Sequence, residues 1–526
     1  MFQNAHHLET VISLLDTEAN KNPDKPALVF KNRQISYHEI YTHANQISHW
    51  LHTSGVKPGD RVMLLGKNSE KIVSGIFGCL KAGAIFVPVH PKMQSAKLEY
   101  IMHDCDPKAI IVDSEIWETH QMLQSNRGST LITSLLSNVD GPGNITGWND
   151  LILHSPHSIS KKVNSNDIAA IIYTSGSTKF PKGVVERHRQ ILFATTAINS
   201  VIGNTSADII LCGIPLSFDY GLYQIFLAFQ AGATIVLEEE FSIPMSIPHL
   251  LAQHNITGFP GVPSLFALLL NTRLFERVNL PSLRYITSTG DVFPKANILK
   301  LRSLLPNVEI YPMYGLTECK RVSIVPRGYL SNHEDSVGCP LPGTSVKIIN
   351  ELGAEVIMGE VGELIVQGGH VMSGYWNDPE ETDRRFKFLQ TEHPALCTGD
   401  YFYQDKDGFL YFEGRKEAFI KSHGQKISPT EIESFLYTVP DIGEVVVVGL
   451  PDSILGEVIC VYAYSRRLSS EMKEIIKDKC KEYLPPIERP KYILVKNEFL
   501  PKTQNGKLDR SLIKKLALEE CCNFNQ

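Results

Sequence analysis

From Arg61 onward, short runs of β-branched and apolar residues alternate with longer stretches of helical periodicity. Arg61-Val62-Met63-Leu64-Leu65 predicts a buried strand, and Ser69 to Lys81 a helix. Ile85 to Val89 is a second strand, Leu98 to Asp104 a helix, and Ala109 to Val112 a third strand. The stretches Asp167 to Tyr173, Asp208 to Ile214, Thr234 to Leu237 and Leu283 to Thr287 continue the series. Strands separated by helical segments predict an α/β domain with parallel-rich sheets.

From Val346 the pattern changes. Ser345 to Ile349, Glu363 to Gln367 and Gly408 to Glu413 are short strand-like runs set apart by glycines, as in an antiparallel sheet or a small distorted barrel. Beyond Gly414-Arg415 comes a basic stretch to Lys426, then a helix over Pro429–Leu436, strands over Glu444–Gly449 and Val458–Tyr464, and a helix over Ser470–Tyr483. The expected organisation is a large N-terminal core, residues 1–415, and a small mobile α+β domain, residues 416–526. The polar, glycine-bearing segment Leu136 to Asn144 reads as an exposed loop.

Composition narrows the picture. A chain of 526 residues exceeds what a single core usually organises. Its net charge of -6 gives no reason to expect a nucleic-acid partner. The ten cysteines lack the paired spacing of a zinc site or a disulfide framework. Scattered cysteines, no basic-then-apolar leader and no apolar run long enough for a membrane span point to a cytoplasmic protein.

The strongest local signal is Tyr173-Thr174-Ser175-Gly176-Ser177-Thr178-Lys179-Phe180-Pro181-Lys182-Gly183-Val184, directly after the apolar run Ala169 to Ile172. Glycines let a backbone approach a ligand closely, hydroxyls donate hydrogen bonds, and Lys182 adds charge, which together suit polyphosphate oxygens. By composition alone the segment reads equally as a surface loop. It lacks the G-x-x-x-x-G-K-[ST] spacing of a P-loop, and no G-x-G-x-x-G follows an early strand, which disfavours P-loop NTPases and nucleotide-fold oxidoreductases.

Further blocks stand in order on both sides of this loop and across nearly the whole chain. They are Leu80 to Pro91, Tyr314-Gly315-Leu316-Thr317-Glu318, Thr398-Gly399-Asp400, Gly414-Arg415 through Glu433, and Pro501-Lys502-Thr503-Gln504-Asn505-Gly506-Lys507. Together they resemble the adenylate-forming superfamily of acyl-CoA synthetases, luciferases and peptide-synthetase adenylation domains. The resemblance implies that ATP and a carboxylic acid form an acyl adenylate and pyrophosphate, after which a thiol attacks the adenylate.

It also implies roles. Thr174, Ser175, Gly176, Ser177, Thr178 and Lys182 would bind ATP phosphates. Tyr314 would stack on adenine, Thr317 would sit by the α-phosphate, and Glu318 would hold Mg2+, a hard cation suited to carboxylate and phosphate oxygens. Asp400 would accept from the ribose hydroxyls and Arg415 would contact ribose or phosphates. Lys507 would bridge the reacting carboxylate and α-phosphate, where negative charge crowds. Thr317, Glu318 and Lys507 form the expected catalytic set. Glu417 occupies the hinge position and Gly424 the pantetheine tunnel. Two departures stand out: Lys179 replaces a glycine usual in the phosphate loop, and Glu417 stands where Asp or Lys is usual.

The acid is addressed by Pro215-Leu216-Ser217-Phe218-Asp219, which resembles amino-acid adenylation domains, whose aspartate pairs with the substrate ammonium group. Taken alone, Asp219 reads as the N-cap of a helix over Tyr220–Ala228. Carried over by position, the pocket comprises Asp219, Tyr220, Tyr223, Pro260, Thr287, Thr289, Met313, Arg321 and Val322. It reads as compact and mainly apolar, with Arg321 directed away. A small apolar amino acid follows, with proline the single choice. Met313 to Arg321 also resembles a bacterial group of acyl ligases associated with exopolysaccharide loci. No carrier domain is read after Lys507, so the expected partner is a separate carrier protein whose phosphopantetheine receives the acyl group. The alternatives are an acyl- or aryl-CoA synthetase or acyl-carrier ligase acting on a non-amino acid, and a non-catalytic nucleotide-binding homologue.

Overall fold

A computed structural model describes residues 9–119, 132–136, 145–159, 162–174, 180–241, 244–387, 394–422, 425–452 and 455–524. The loop expected over Leu136 to Asn144 lies outside these after its first residue.

Two large sheets form the N-terminal core. One has seven strands and pairs Arg61–Leu65 in parallel with Ile85–Val89 and with Ala109–Val112. The other has nine strands, with Ile209–Cys212, Thr234–Leu237, Gly258–Gly261, Tyr285–Ser288 and Glu309–Tyr314 running parallel. Its far edge is Pro26–Phe30 and Arg33–Ser36, with Pro26–Phe30 beside Thr234–Leu237.

Helices contribute a shared core between the two sheets. The helix Glu70–Lys81 starts where Ser69 accepts a hydrogen bond from the Ile72 N–H, an N-cap that satisfies one of the free amides of the first turn. Its Phe77 stacks on Phe229 and meets Phe226 edge-on, both from the helix Asp219–Ala231. That helix, DYGLYQIFLAFQA, is buried on all sides over its first eleven residues, as its almost uniformly apolar sequence requires. Phe218 is its N-cap, and no side chain caps it. Asp219 is thus the first helical residue and does not serve as the cap that its sequence position suggests.

Beyond the nine-stranded sheet, Thr344–Ile349, Gly362–Gly368, Phe386–Lys387, Ala395–Gln404 and Leu410–Arg415 form an antiparallel five-stranded sheet. This is the antiparallel arrangement that the glycine-broken pattern suggests.

A last five-stranded sheet begins at Ile420–Ser422 and is built on the long hairpin Ile442–Asp452 with Gly456–Ser465. Helices Pro429–Leu436 and Ser469–Tyr483 pack on it around Ile432, Leu436, Met472 and Ile476. Glu433 is buried there, and both its oxygens accept from Arg510 at 2.6 Å while Oε1 also accepts from the Val447 N–H. Removing either partner would leave a buried charge unpaired. Among the described residues no helix is long and apolar enough to cross a membrane.

Candidate active site

The carboxyl ends of Gly258–Gly261, Tyr285–Ser288 and Glu309–Tyr314 converge on the N-terminus of the helix Asp219–Ala231, the usual place for a ligand in a parallel sheet. Asp400 and Arg415 stand opposite each other in the antiparallel register of Ala395–Gln404 and Leu410–Arg415. Strand pairing alone therefore brings the two blocks together. Arg415 Nε lies 3.7 Å from Asp400 Oδ1, and the Tyr314 hydroxyl donates to Asp400 Oδ2 at 2.7 Å. Burial pushes the Asp400 carboxyl up, while Arg415 and the Tyr314 hydroxyl pull it back. The Tyr314 ring is buried between Phe402 and Phe412, so it also holds Asp400 in place, a role its sequence block did not announce.

The segment after Tyr314 folds back on itself. A Cβ on Gly315 would lie 1.6 Å from the Lys320 carbonyl oxygen, so only glycine fits there. This turn presents Thr317 and Glu318. Glu318 Oε1 accepts from the Tyr375 hydroxyl at 2.7 Å. One carboxylate oriented by a phenol fits Mg2+, which is held by few protein ligands and completes its shell with water and phosphate oxygens. Among the described residues no cluster of three or more His, Cys, Asp or Glu competes as a dedicated metal cage. When bound, the ion would neutralise phosphate charge; Glu318 is the residue here that would hold it.

Lys182 leads the strand that follows the phosphate loop. Its ammonium pairs with Glu381 at 2.7 Å, and Glu381 also binds Arg384, which holds its carboxyl down to about 2. Thr174 ends the strand before the loop. Ser175, Gly176, Ser177, Thr178 and Lys179 lie outside the described residues, as does Gly424. Glu417 is exposed in the turn between Leu410–Arg415 and Ile420–Ser422, where the Ala418 N–H donates to the Arg415 carbonyl.

Lys507 reaches this site from the C-terminal sheet's side. Ser264 donates to the Gly506 carbonyl, docking the loop against the start of the helix Pro263–Asn271. The ammonium lies 5.0 Å from the Phe218 ring centroid and beside Gly290, at the end of Tyr285–Ser288. Burial lowers its pKa, opposed chiefly by the Asp219 and Asp291 carboxylates. Lys507 and Asp219 are thus electrostatic neighbours.

The pocket residues separate into groups. The Tyr220 hydroxyl bonds both the backbone oxygen and Oγ1 of Thr287, at 2.9 and 2.7 Å. The Arg321 guanidinium lies 4.6 Å from the Tyr220 ring centroid. Arg321 is therefore directed at a pocket residue, contrary to the expectation that it points away, because the turn at Gly315 swings Lys320 and Arg321 inward. Tyr223 donates to Glu186, which forms a buried ion pair with Lys320. Burial pushes the Glu186 carboxyl up against the opposing pull of Lys320. Pro260 pairs in register with Thr287, and Thr289 is buried just past the strand end. Met313 packs with Ala197, Ile198 and Leu227, and Val322 with Val184, Leu364 and Tyr375, so packing accounts for both side chains. The expected pocket positions are consequently surrounded by more charge than an apolar site implies. Glu186, Gly290, Tyr375 and Glu381 were not foreseen because each acts through a contact distant in sequence; the adjacent Lys320-Arg321 pair was the one local sign.

Comparison with known proteins agrees with this geometry. The family model described as AMP-binding enzyme matches residues 15–376, and that of the AMP-binding enzyme C-terminal domain matches residues 431–507. The chain is 29% identical to Gramicidin S synthase 2 of Brevibacillus brevis over 96% of its own length, and spans 11% of that protein. It is also 29% identical to a long-chain-fatty-acid–CoA ligase of Bacillus subtilis (strain 168), covering 98% of this chain and 96% of that one. Among solved structures, the anthranilate CoA ligase AuaEII in complex with anthranoyl-AMP superposes with a TM-score of 0.90 at 26% identity, covering 98% of both chains. A parallel-sheet core, a lysine delivered from a smaller C-terminal domain, and family matches over most of the length lead to one conclusion: the chain belongs to the AMP-binding, adenylate-forming enzyme family.

Proposed function

We propose that this adenylate-forming ligase activates an amino acid with ATP and passes it to the phosphopantetheine thiol of a separate carrier protein. The single observation carrying the amino-acid reading is Asp219: it is 5% exposed, caps nothing, and has no hydrogen bond or ion pair among the described residues. Lys507 is an electrostatic neighbour but makes no direct ion pair with it, and a substrate ammonium group would give this carboxylate a direct partner. The likeness to a peptide synthetase supports the same class of acid and a carrier as acceptor.

In this reading Asp400 and Arg415 hold the ribose, Thr317 and Lys182 address phosphates, and Tyr314 adds contact with adenine. Lys507 donates to the attacking carboxylate and the α-phosphate oxygens, concentrating positive charge where anions meet. The carboxylate oxygen bonds to the α-phosphorus as the bond to pyrophosphate breaks, so no protein nucleophile is needed. Glu417 is the proposed hinge by which residues 416–526 turn away from residues 1–415, withdrawing Lys507 before thiol attack.

A second reading, coenzyme A ligation of an aryl or fatty acid, is favoured by the full-length likeness to AuaEII and to the Bacillus subtilis ligase. ATP–pyrophosphate exchange across amino, aryl and fatty acids, followed by thioester assays with free coenzyme A and with holo carrier protein, separates the two. Exchange with benzoate or hexanoate and with no amino acid would overturn the amino-acid reading.

A further inference from the structure

Asp219 has a counterpart of opposite sign. Arg321 is 6% exposed, yet among the described residues it has no carboxylate within ion-pair distance. Its one recorded acceptor is the neutral carbonyl of Lys320, bonded by Nη1 at 3.0 Å. The neighbouring buried cation, Lys320, is already matched to Glu186. Arg321 thus has no ion pair of its own among the described residues, and its planar fork is the side chain best suited to a carboxylate.

Asp219 and Arg321, neither of which has a direct ion pair among the described residues, share a neighbour. Asp219 precedes Tyr220 in the chain, and Arg321 lies over the Tyr220 ring. The ring itself is fixed from below, its hydroxyl tied to Thr287. Stacking on Tyr220 explains how the guanidinium is held, and among the described residues leaves it without a direct carboxylate partner. A ligand bearing one cationic and one anionic group beside its reacting carboxylate would neutralise both side chains at once.

We infer that the acid activated here carries a second anionic group, received by Arg321, so that the substrate class is the amino dicarboxylic acids. This rests on the amino-acid reading proposed above. The reacting carboxylate would lie towards Lys507, the ammonium group at Asp219, and the second carboxylate at Arg321. Proline, the choice made from the apolar positions alone, has nothing to offer Arg321.

The test is ATP–pyrophosphate exchange on the full chain with L-aspartate, L-glutamate, L-proline, succinate and hexanoate, repeated for Arg321→Leu and Arg321→Lys. Exchange with an amino dicarboxylic acid should exceed that with proline by about tenfold or more, as expected for a buried charge-assisted pair. Arg321→Leu should raise the KM for that acid about tenfold or more while kcat changes little, the pattern of lost ground-state binding. Arg321→Lys, which retains the charge without the fork, should fall between. A residue that merely props up Tyr220 would leave the ranking of acids unchanged. Proline as the preferred acid would overturn the second anionic group and leave the amino-acid reading standing. Succinate equal to aspartate would support Arg321 as an anion site and overturn the role of Asp219. Hexanoate as the preferred acid would overturn both. Should Arg321→Leu not fold, the ranking of acids by the unaltered chain decides the matter.

Discussion

A Cβ placed on Gly290 would stand 2.8 Å from Cε of Lys507, so a side chain there would contest the space that the Lys507 ammonium arm occupies. Gly290 also has φ +98, where side chains are strained. Gly290→Ala should displace the ammonium group and lower kcat for pyrophosphate exchange about 100-fold, the usual cost of a misplacement of roughly 1 Å. In the proposed mechanism thioester formation from added acyl adenylate does not use Lys507, so it should be spared. Equal losses in both half-reactions would show that Gly290 serves the fold and not the lysine.

Tyr314→Phe removes the hydroxyl that donates to Asp400 and keeps the ring between Phe402 and Phe412. A hydrogen bond to a charged group contributes about 1.5–3 kcal/mol, so the KM for ATP should rise about tenfold. The KM for the acid should stay as it is. An unaltered KM for ATP would remove Tyr314 from the support of Asp400.

Glu186 and Lys320 form a buried ion pair that links the strand after the phosphate loop to the turn after Glu318. Breaking such a pair from one side costs about 3–5 kcal/mol, because the other charge stays buried. Lys320→Met should therefore lower the unfolding free energy by about that amount in urea titrations, whereas the double change Glu186→Leu with Lys320→Met should lose much less. Additive losses would refute the coupling.

Glu413 precedes Gly414-Arg415, next to the proposed hinge, and faces Glu431 of the helix Pro429–Leu436. Burial, reinforced by Glu431, raises its carboxyl from 4.5 to about 7. Between those values the native state holds a proton that the unfolded chain has released. Stability from this group is thus full below pH 4.5 and lost as pH rises through about 7. Glu413→Gln, which cannot ionise, should raise the melting temperature relative to the unaltered chain at pH 8, with the difference shrinking at pH 5. Parallel melting curves across that range would place the titration elsewhere.

Several elements were legible because their apolar runs are continuous and sharply bounded. Arg61–Leu65, Ile85–Val89, Ala109–Val112 and Thr234–Leu237 have the bounds their residues predict, as does the helix Pro429–Leu436, with proline at its start. The hairpin strands Ile442–Asp452 and Gly456–Ser465 run past their apolar centres, since backbone pairing continues through polar residues. Pro26–Phe30 and Arg33–Ser36 were not anticipated, because they join a sheet whose neighbouring strand lies some two hundred residues away in sequence.

The sequence by itself determined the family and the inventory of chemical groups: the ordered blocks ending in Lys507, the carboxylates Glu318 and Asp400, and an aspartate where an acid pocket begins. Residue type and spacing are local, and a motif survives in one dimension. Only the tertiary structure decided which charges are matched. The glycine turn at Gly315 brings Lys320 to Glu186 and Arg321 onto Tyr220, while the helix that starts after Phe218 places Asp219 near Lys507 with no direct ion pair among the described residues. Charge compensation depends on distance and burial between residues far apart in the chain, so which of these charges find partners is decided by packing and not by the order of residues.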